Sequence, residues 1–335
     1  MKYVTLGKTG LKVSRLGFGG IPIQRIDAEG TVKLFDSLIE HGINFIDTAR
    51  GYTVSEGYIG EAIRGRRDKF VIATKSMART REAMATDIET SLSLLGTDYI
   101  DLYQVHNANP DQLRTVMGEG GALEALYEAK AAGNIGHIGL TSHSVETFKL
   151  ALELDWVETF MFPYNIVENE VEPLIEECAK RGIGFIAMKP LAGGAIDDAR
   201  LALRYISANP SLAVALPGMY SDEEVTMNNN AVNDESPLSE SEQRGIERIR
   251  AILGGNFCRR CGYCAPCTAG INIPLVFLFD GYYTRYGLTD WAKSRYDSLD
   301  VKASACIDCG ACESRCPYEL PIRKMLREVA DRFGA

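Results

Sequence analysis

The sequence lacks several features that would by themselves name a function class. No stretch of its 335 residues approaches the ~18 consecutive apolar residues of a membrane span, so no membrane-crossing helix is expected. It has no basic surplus: the formal charge is -9, which offers no footing for the phosphates of a nucleic acid. The first residues, MKYVTLGKTGLKVSRLG, lack the apolar run of a secretory signal, so they read as mature sequence and a cytoplasmic protein is expected. Glycine fingerprints of nucleotide loops are incomplete as well. Gly17-Phe18-Gly19-Gly20 misses the third glycine of a Rossmann turn, and Gly7-Lys8-Thr9 misses the upstream glycine of a P-loop, so both read as turn glycines. Cysteine is nearly absent from the first three quarters of the chain, where Cys178 stands alone among nine and reads as a small buried residue.

What is present divides in two. A composition of 46% hydrophobic and 24% charged residues is that of an ordinary globular protein able to bury a large core. After residue 253 there are 11 lysines and arginines against 9 carboxylates, and before it 25 against 36. The polar segment Asn233-Asp234-Glu235-Ser236-Pro237, a helix over Glu240–Leu253 and the pair Gly254-Gly255 precede the cysteines. Domains of residues 1–253 and 254–335 are therefore expected.

In the first part, short β-branched runs alternate with helical patterns. Strands are predicted at Arg15–Gly19, Asn44–Ile46, Phe70–Thr74, Tyr99–Gln104, Ile135–Leu140, Thr159–Phe162, Gly184–Ala187 and Leu212–Leu216. Helices are predicted at Thr31–His41, Arg81–Leu95, Leu123–Ala132, Glu172–Arg181 and Ala199–Ser207, several closed by glycine. Eight β-α units suit a (β/α)8 TIM barrel, for which ~250 residues is typical; a doubly wound open sheet is the competitor. Residues 2–14 read as a hairpin around Gly-Lys-Thr-Gly that plugs the closed end. Residues 107–121 read as a long loop without decisive chemistry.

Catalytic groups of such a barrel gather at the C-terminal ends of its strands. Asp47, Tyr52, Lys75 and His106 fall there. Each has an ordinary explanation alone: a turn cap, a half-buried aromatic, a solvated strand end, a structural histidine. Together they make a proton-transfer device, because a tyrosine of pKa ~10 is a sluggish acid until a cation stabilises its phenolate. Lys75 supplies the cation, Asp47 holds it charged, and His106 orients a substrate oxygen.

These residues carry a resemblance. NFIDTARGYTVSE, the ATK at 73–75, the QVHN at 104–107 and the PLAGG at 190–194 are similar to segments of the aldo-keto reductases, over roughly residues 3–232. The resemblance implies Tyr52 as general acid/base, Lys75 and Asp47 as its tuning pair, His106 as orienter, and hydride exchange between a nicotinamide and a carbonyl or alcohol. It places nicotinamide contacts at Thr141, Ser142, Lys189 and Leu191, and nucleotide contacts at Gly218, Met219, Ser221 and Asn228. Where NADP enzymes of the family carry Lys and Arg, this chain has Gly218 and Glu224, so a 2′-phosphate would meet a carboxylate. Met161 stands where the family commonly has glutamine, and Thr141-Ser142-His143 where it has Ser-Asn. NAD(H) is expected over NADP(H), with loss of nicotinamide binding the other outcome.

The cysteines read Cys258-x2-Cys261-x2-Cys264-x2-Cys267 and Cys306-x2-Cys309-x2-Cys312-x3-Cys316-Pro317. The second run is the bacterial ferredoxin pattern for a [4Fe-4S] cluster, in which the fourth cysteine often ligates the other cluster. Thr268 departs from the proline expected after the first run. A structural zinc pair needs only Cys-x2-Cys twice per site, and disulfides would need an oxidising compartment. With crossed ligation, Cys258, Cys261, Cys264 and Cys316 hold one cluster and Cys306, Cys309, Cys312 and Cys267 the other. Helices between and after the runs resemble an α-helical dicluster ferredoxin domain, with Phe277, Phe279, Tyr282, Tyr283, Tyr286 and Trp291 as shielding core.

A hydride carries two electrons and each cluster passes one, and no flavin motif is evident. Three functions follow: a reductase whose clusters link it to a one-electron carrier such as ferredoxin or flavodoxin; a nicotinamide-independent, ferredoxin-linked reductase; or a non-catalytic redox or iron sensor or electron-transfer module. The tuned tyrosine favours an enzyme acting on a small carbonyl or alcohol.

Overall fold

The strands Tyr3–Thr5 (β1) and Lys12–Ser14 (β2) pair antiparallel, Val4 opposite Val13, across a turn of 3-10 helix at Gly7–Thr9. This is the expected hairpin, seen in a computed structural model that describes residues 1–334. Leu6 and Val13 are buried in one cluster with Phe45, Ala73, Leu102, Met161, Ile186, Val214 and Leu216, which line the inside of the barrel below. Gly7 sits at φ +54°, and a Cβ there would lie 2.3 Å from the backbone nitrogen of Gly184. Only glycine allows this approach, which seats the hairpin on the N-terminal end of the strand that Gly184 begins.

The barrel strands are Phe18–Gly19 (β3), Phe45–Asp47 (β4), Val71–Ser76 (β5), Ile100–Val105 (β6), Ile135–Thr141 (β7), Thr159–Pro163 (β8), Gly184–Met188 (β9) and Val214–Leu216 (β10). They are all parallel and neighbour one another in chain order. Parallel bridges Leu16–Ala215 and Gly19–Gly218 join the last strand to the first. An order without a reversal, returning on itself, is a (β/α)8 barrel and excludes the doubly wound competitor. The expected strand Arg15–Gly19 is shorter as β3 because its first residues join the sheet through single bridges. Apolar side chains on the outer face, such as Ile46, Ile72 and Tyr103, bury against Leu34, Leu38, Ile59 and Ile63 of the flanking helices Ala28–Glu40 and Ser55–Ile63.

The reading of residues 107–121 as a loop is corrected by a helix at Pro110–Met117. Asn109 caps the Gln112 amide at 2.8 Å, the Gln112 side chain returns to the Asn109 amide at 3.1 Å, and Pro110 takes the first turn. Asn-Pro-x-Gln is a capping box with its own start signal, so the segment orders itself locally.

Residues Met1–Asn165, Asn169–Pro190 and Asp198–Leu238 make one compact unit, and Ile166–Glu168, Leu191–Asp197 and the chain from Ser239 a second. The helix Glu240–Leu253 thus groups with the cysteine-bearing segment and not with residues 1–238, so the expected boundary at 253 moves to 238: Arg250 Nε donates to the Ile166 carbonyl at 3.0 Å within the second unit. Helices Ile273–Thr284, Thr289–Asp297 and Ile322–Phe333 complete that unit. Phe277, Phe279, Tyr296, Leu326 and Phe333 bury with Cys264 and Cys312, and Tyr282 and Tyr283 pack against them. Tyr286 and Trp291 close on Tyr282 at 5.4 and 4.7 Å between ring centres. No helix among the described residues is long and apolar enough to cross a membrane.

Candidate functional site

Asp47 ends β4, and the chain beyond it stays in register with β5: Thr48 donates its amide to Ala73 and Arg50 to Lys75, at 2.9 and 3.0 Å. A tight turn follows, with Thr53 at φ +49°, and the helix from Ser55 takes over. The Ser55 hydroxyl donates to the Gly20 carbonyl at 3.0 Å and lies 2.8 Å from the Thr48 hydroxyl. A Cβ at Gly20 would come within 2.8 Å of that hydroxyl, so glycine there lets the turn dock. The loop carrying Tyr52 is held at both ends.

Within the barrel mouth the Lys75 ammonium donates to Asp47 Oδ2 at 2.5 Å and to the Thr48 carbonyl at 2.8 Å. Gln104 Nε2 donates to the other oxygen of Asp47 at 3.1 Å. The pair is almost sealed from water, with side-chain exposures of 2% for Lys75 and 4% for Asp47. Burial pushes the lysine down from its ordinary value and the carboxyl up, and the attraction between them opposes both shifts. The Lys75 nitrogen lies 4.8 Å from the centre of the Tyr52 ring, within cation-π range. The His106 ring stands edge-on to Tyr52, 6.1 Å between centres. Three strand ends and one loop therefore bring together all four residues singled out from the sequence.

His106 is held by its backbone: its amide donates to Ser76 at 2.8 Å and its carbonyl accepts from Arg79 at 2.7 Å. Its Nδ1 is buried without a hydrogen-bond partner among the described residues. Burial first, then the cations Lys75, Arg79 and Lys189, keep its pKa well below the ordinary histidine value. The ring is a neutral imidazole with one donor and one acceptor nitrogen.

Supporting residues escaped the sequence reading. Gln104 lay within the QVHN segment, but its role depends on pairing directly with Lys75 across β5 and β6. The buried Glu56 accepts from Thr74 at 2.7 Å and Ser91 at 2.8 Å, and pairs with Arg50 between Asp47 and Tyr52. Their signal was weak, since an Arg in a loop and a Glu six residues on, in the first turn of the next helix, have no fixed partners.

The expected nicotinamide contacts are more scattered. Thr141 Oγ1 accepts the Asn107 amide at 2.8 Å and Ser142 Oγ donates to the Ala108 carbonyl at 2.8 Å, both buried and tying down the loop after β6. Lys189 sits at φ +55° with its carbonyl accepting from Asn165 at 3.1 Å, while Leu191 belongs to the second unit. Gly218 is exposed, Met219 fully buried, and Ser221 caps the helix Asp222–Asn233. The first turn of that helix is Asp222-Glu223-Glu224, and Glu224 accepts the Tyr220 amide at 2.8 Å. Three carboxylates cancel the attraction of a helix N-terminus for phosphate. Asn228 Oδ1 is buried with no hydrogen-bond partner among the described residues, an acceptor suited to a donor such as an adenine amino group. Asn228 offers an acceptor to an adenosine, and the carboxylates of this turn oppose a 2′-phosphate.

In the second unit, Cys267, Cys306, Cys309 and Cys312 line one small cavity of about 10 Å³ with Ile273, Leu326 and Arg323. Burial first, then the nearby Cys261 and Cys316, push the Cys258 thiol up, and burial, then Cys258, Cys261 and Cys312, push Cys264 up to about 12. Among the described residues no three such side chains close around a point for a single ion. Backbone amides of Arg260, Tyr263, Ala311 and Glu313 serve Cys258, Cys261, Cys309 and Cys312, stabilising thiolates. The unexpected Thr268 places its hydroxyl 3.6 Å from Cys309 Sγ, whose pKa is lowered by the Ala311 amide and then by that hydroxyl. This donor set fits iron-sulfur clusters. Cys178 is different: burial pushes it up to about 12, an inert thiol in a helix.

Comparison with known proteins agrees with both halves. Residues 257–321 match the model of a 4Fe-4S dicluster domain. Aldo-keto reductase YhdN of Bacillus subtilis is 32% identical over 54% of this chain, and the match spans 59% of its own length. L-galactose dehydrogenase of Arabidopsis thaliana is 26% identical over 74% of this chain and 93% of its own. The holo form of aldo-keto reductase AKR11C1 from Bacillus halodurans superposes with a TM-score of 0.64 at 27% identity, over 74% of this chain and 96% of its own. With residues 15–201 matching the model of the aldo/keto reductase family, and a closed barrel carrying the Asp47, Tyr52, Lys75 and His106 constellation, the chain belongs to the aldo/keto reductase family of oxidoreductases, with an iron-sulfur domain attached.

Proposed function

We propose that the protein interconverts a small carbonyl and the corresponding alcohol, with Tyr52 as general acid/base. The observation that carries this reading is the sealed Lys75-Asp47 pair at the Tyr52 ring. In the reducing direction the Tyr52 hydroxyl gives its proton to the carbonyl oxygen, and the phenolate that remains is stabilised by the Lys75 ammonium. Asp47, Thr48 and Gln104 keep that ammonium in place, so little reorganisation is needed as charge develops. The neutral His106 donates a hydrogen bond to the same oxygen without competing for the proton. Oxidation of the alcohol runs the same transfers backwards. A bound nicotinamide would supply or take hydride, and clusters held by the two cysteine sets would supply one-electron exchange with a carrier such as ferredoxin or flavodoxin.

The carboxylates at the start of the helix Asp222–Asn233 support NAD(H) over NADP(H), and they also support a second reading. In it no nicotinamide binds, and electrons reach the substrate from a ferredoxin. Anaerobic, cluster-loaded protein mixed with a carbonyl panel distinguishes the two. Turnover and cluster bleaching with NADH, much weaker with NADPH, is the expected result. Silence toward both nucleotides with turnover on reduced ferredoxin selects the second reading, and silence with every donor removes both.

Because His106 stays neutral, the rate between about pH 6 and 8 is expected to lack the inflection of a histidine titrating near its ordinary pKa of ~6.5. An inflection there that disappears in His106→Gln would show that the ring takes up a proton and cannot have the assigned role.

A further inference from the structure

The two cysteine sets sit in different electrostatic surroundings. Around Cys258 and Cys261 stand three guanidinium groups, all within the second unit. The Arg260 side chain is only 8% exposed; its Nη1 lies 3.4 Å from the Cys258 carbonyl and its Nη2 3.4 Å from Glu168, itself 6% exposed. Arg260, between the two cysteines in sequence, holds φ +59°. Arg259 stacks on the Tyr318 ring at 3.6 Å and donates to the Val167 carbonyl at 3.0 Å. Arg285 donates to the Gly193 carbonyl at 2.9 Å, faces the Phe257 ring at 6.0 Å and is close enough to Cys258 to feel its charge. Arg259 and Arg285 spend their hydrogen bonds on neutral carbonyls, with Asp280, itself bonded to Arg332, near enough to act on Arg285, and Arg260 pairs with the carboxylate of Glu168.

Around Cys306, Cys309 and Cys312 the balance differs. Arg323 is tied to Glu313 at 2.7 Å, Arg327 to Asp308 at 2.9 Å, and both arginines are substantially exposed. Cys309 is exposed, and Ile307 beside it is 62% exposed. Arg315, whose charge reaches Cys309, donates to the Ala311 and Pro266 carbonyls at 3.0 and 2.7 Å but is exposed, so water screens it, while carboxylates pair with Arg323 and Arg327.

We propose that Arg259, Arg260 and Arg285 hold the cluster of Cys258, Cys261, Cys264 and Cys316 at a higher reduction potential than that of Cys267, Cys306, Cys309 and Cys312. The inference rests on the reading of these cysteines as two [4Fe-4S] sites. Adding one electron makes a cluster more negative by one charge. Burial weakens solvation of that charge but also strips the screening from the guanidinium groups, and their unpaired excess decides the sign. One electron taken up at the exposed site therefore passes to the arginine-lined site, oxidising the first and reducing the second by one.

Full-length protein, titrated anaerobically with dithionite and followed by electron paramagnetic resonance, tests this after iron and sulfide counting. Without two clusters per chain, the cluster reading itself fails. With two, the expected result is two resolved one-electron waves. Cys309→Ser should perturb the lower wave. Arg285→Gln should move the upper wave to lower potential and leave the other, and Arg260→Gln should do the same, with Arg260→Lys restoring most of the shift. A single unresolved wave, perturbation of the upper wave by Cys309→Ser, or a shift of the lower wave alone in the arginine variants overturns the inference.

Discussion

Lys75→Met is expected to cut carbonyl turnover by about 10²–10⁴-fold, the range for loss of acid-base assistance, and to destabilise the barrel at the same time. The ammonium is the cation beside the Tyr52 ring, so the phenolate loses its stabiliser. It is also the buried partner of Asp47, and removing one member of such a pair costs about 3–5 kcal/mol because the other charge is left uncompensated. Tyr52→Phe should lose a similar share of turnover with little change in stability. The double variant Asp47→Asn with Lys75→Met should recover most of the stability and none of the activity. If it recovers activity, the ammonium does not act on Tyr52.

The sign of the pH dependence follows from burial. In Lys75→Met only the Gln104 hydrogen bond, the weakest influence on Asp47, opposes the upward push of burial, so its folded pKa lies above the ~3.9 of an unfolded carboxyl. A raised pKa means the folded state binds the proton more tightly, and that contribution is complete below the unfolded value and lost as pH rises through the folded one. Urea melts should therefore show a larger deficit, relative to the parent, at neutral pH than at mildly acidic pH.

The second large effect concerns metal content. Cys312→Ala is expected to leave about half of the iron and labile sulfide, since Cys312 shares its cavity with Cys267, Cys306 and Cys309 while the other set keeps its own thiols. Cys178→Ala should leave the content unchanged. The pairing can be read from the spectra: Cys267→Ala should leave the same residual cluster as Cys309→Ala, and Cys316→Ala the same as Cys264→Ala. Matching of Cys267→Ala with Cys264→Ala instead would establish sequential ligation. Zinc in place of iron, with no labile sulfide, would remove the cluster reading.

Most of the barrel was legible because each strand and its following helix announce themselves locally. Arg81–Leu95 and Ala199–Ser207 occur with the predicted bounds, since a Thr80 or Asp198 cap starts each and a periodic apolar face continues it. Pro110–Met117 escaped because a helix of eight residues has too few turns to show a period, although its capping box was in plain view. The helix Glu240–Leu253 was foreseen and its allegiance was not, because amphipathicity says that a face is buried without saying against what.

The tetrad and the cysteine runs were determined by the sequence itself. Strand-end position is a property of chain order in a (β/α)8 barrel, and cluster ligands must follow one another at spacings the backbone can wrap around a small inorganic core. Only the tertiary structure decided that Gln104 and the Thr48 carbonyl complete the Asp47-Lys75 pair, that Thr141 and Ser142 spend their hydroxyls on the protein's own loop, and that three arginines meet beside Cys258. Charges and hydrogen bonds act through distances of a few ångström, and for residues far apart along the chain those distances exist only once the chain has folded.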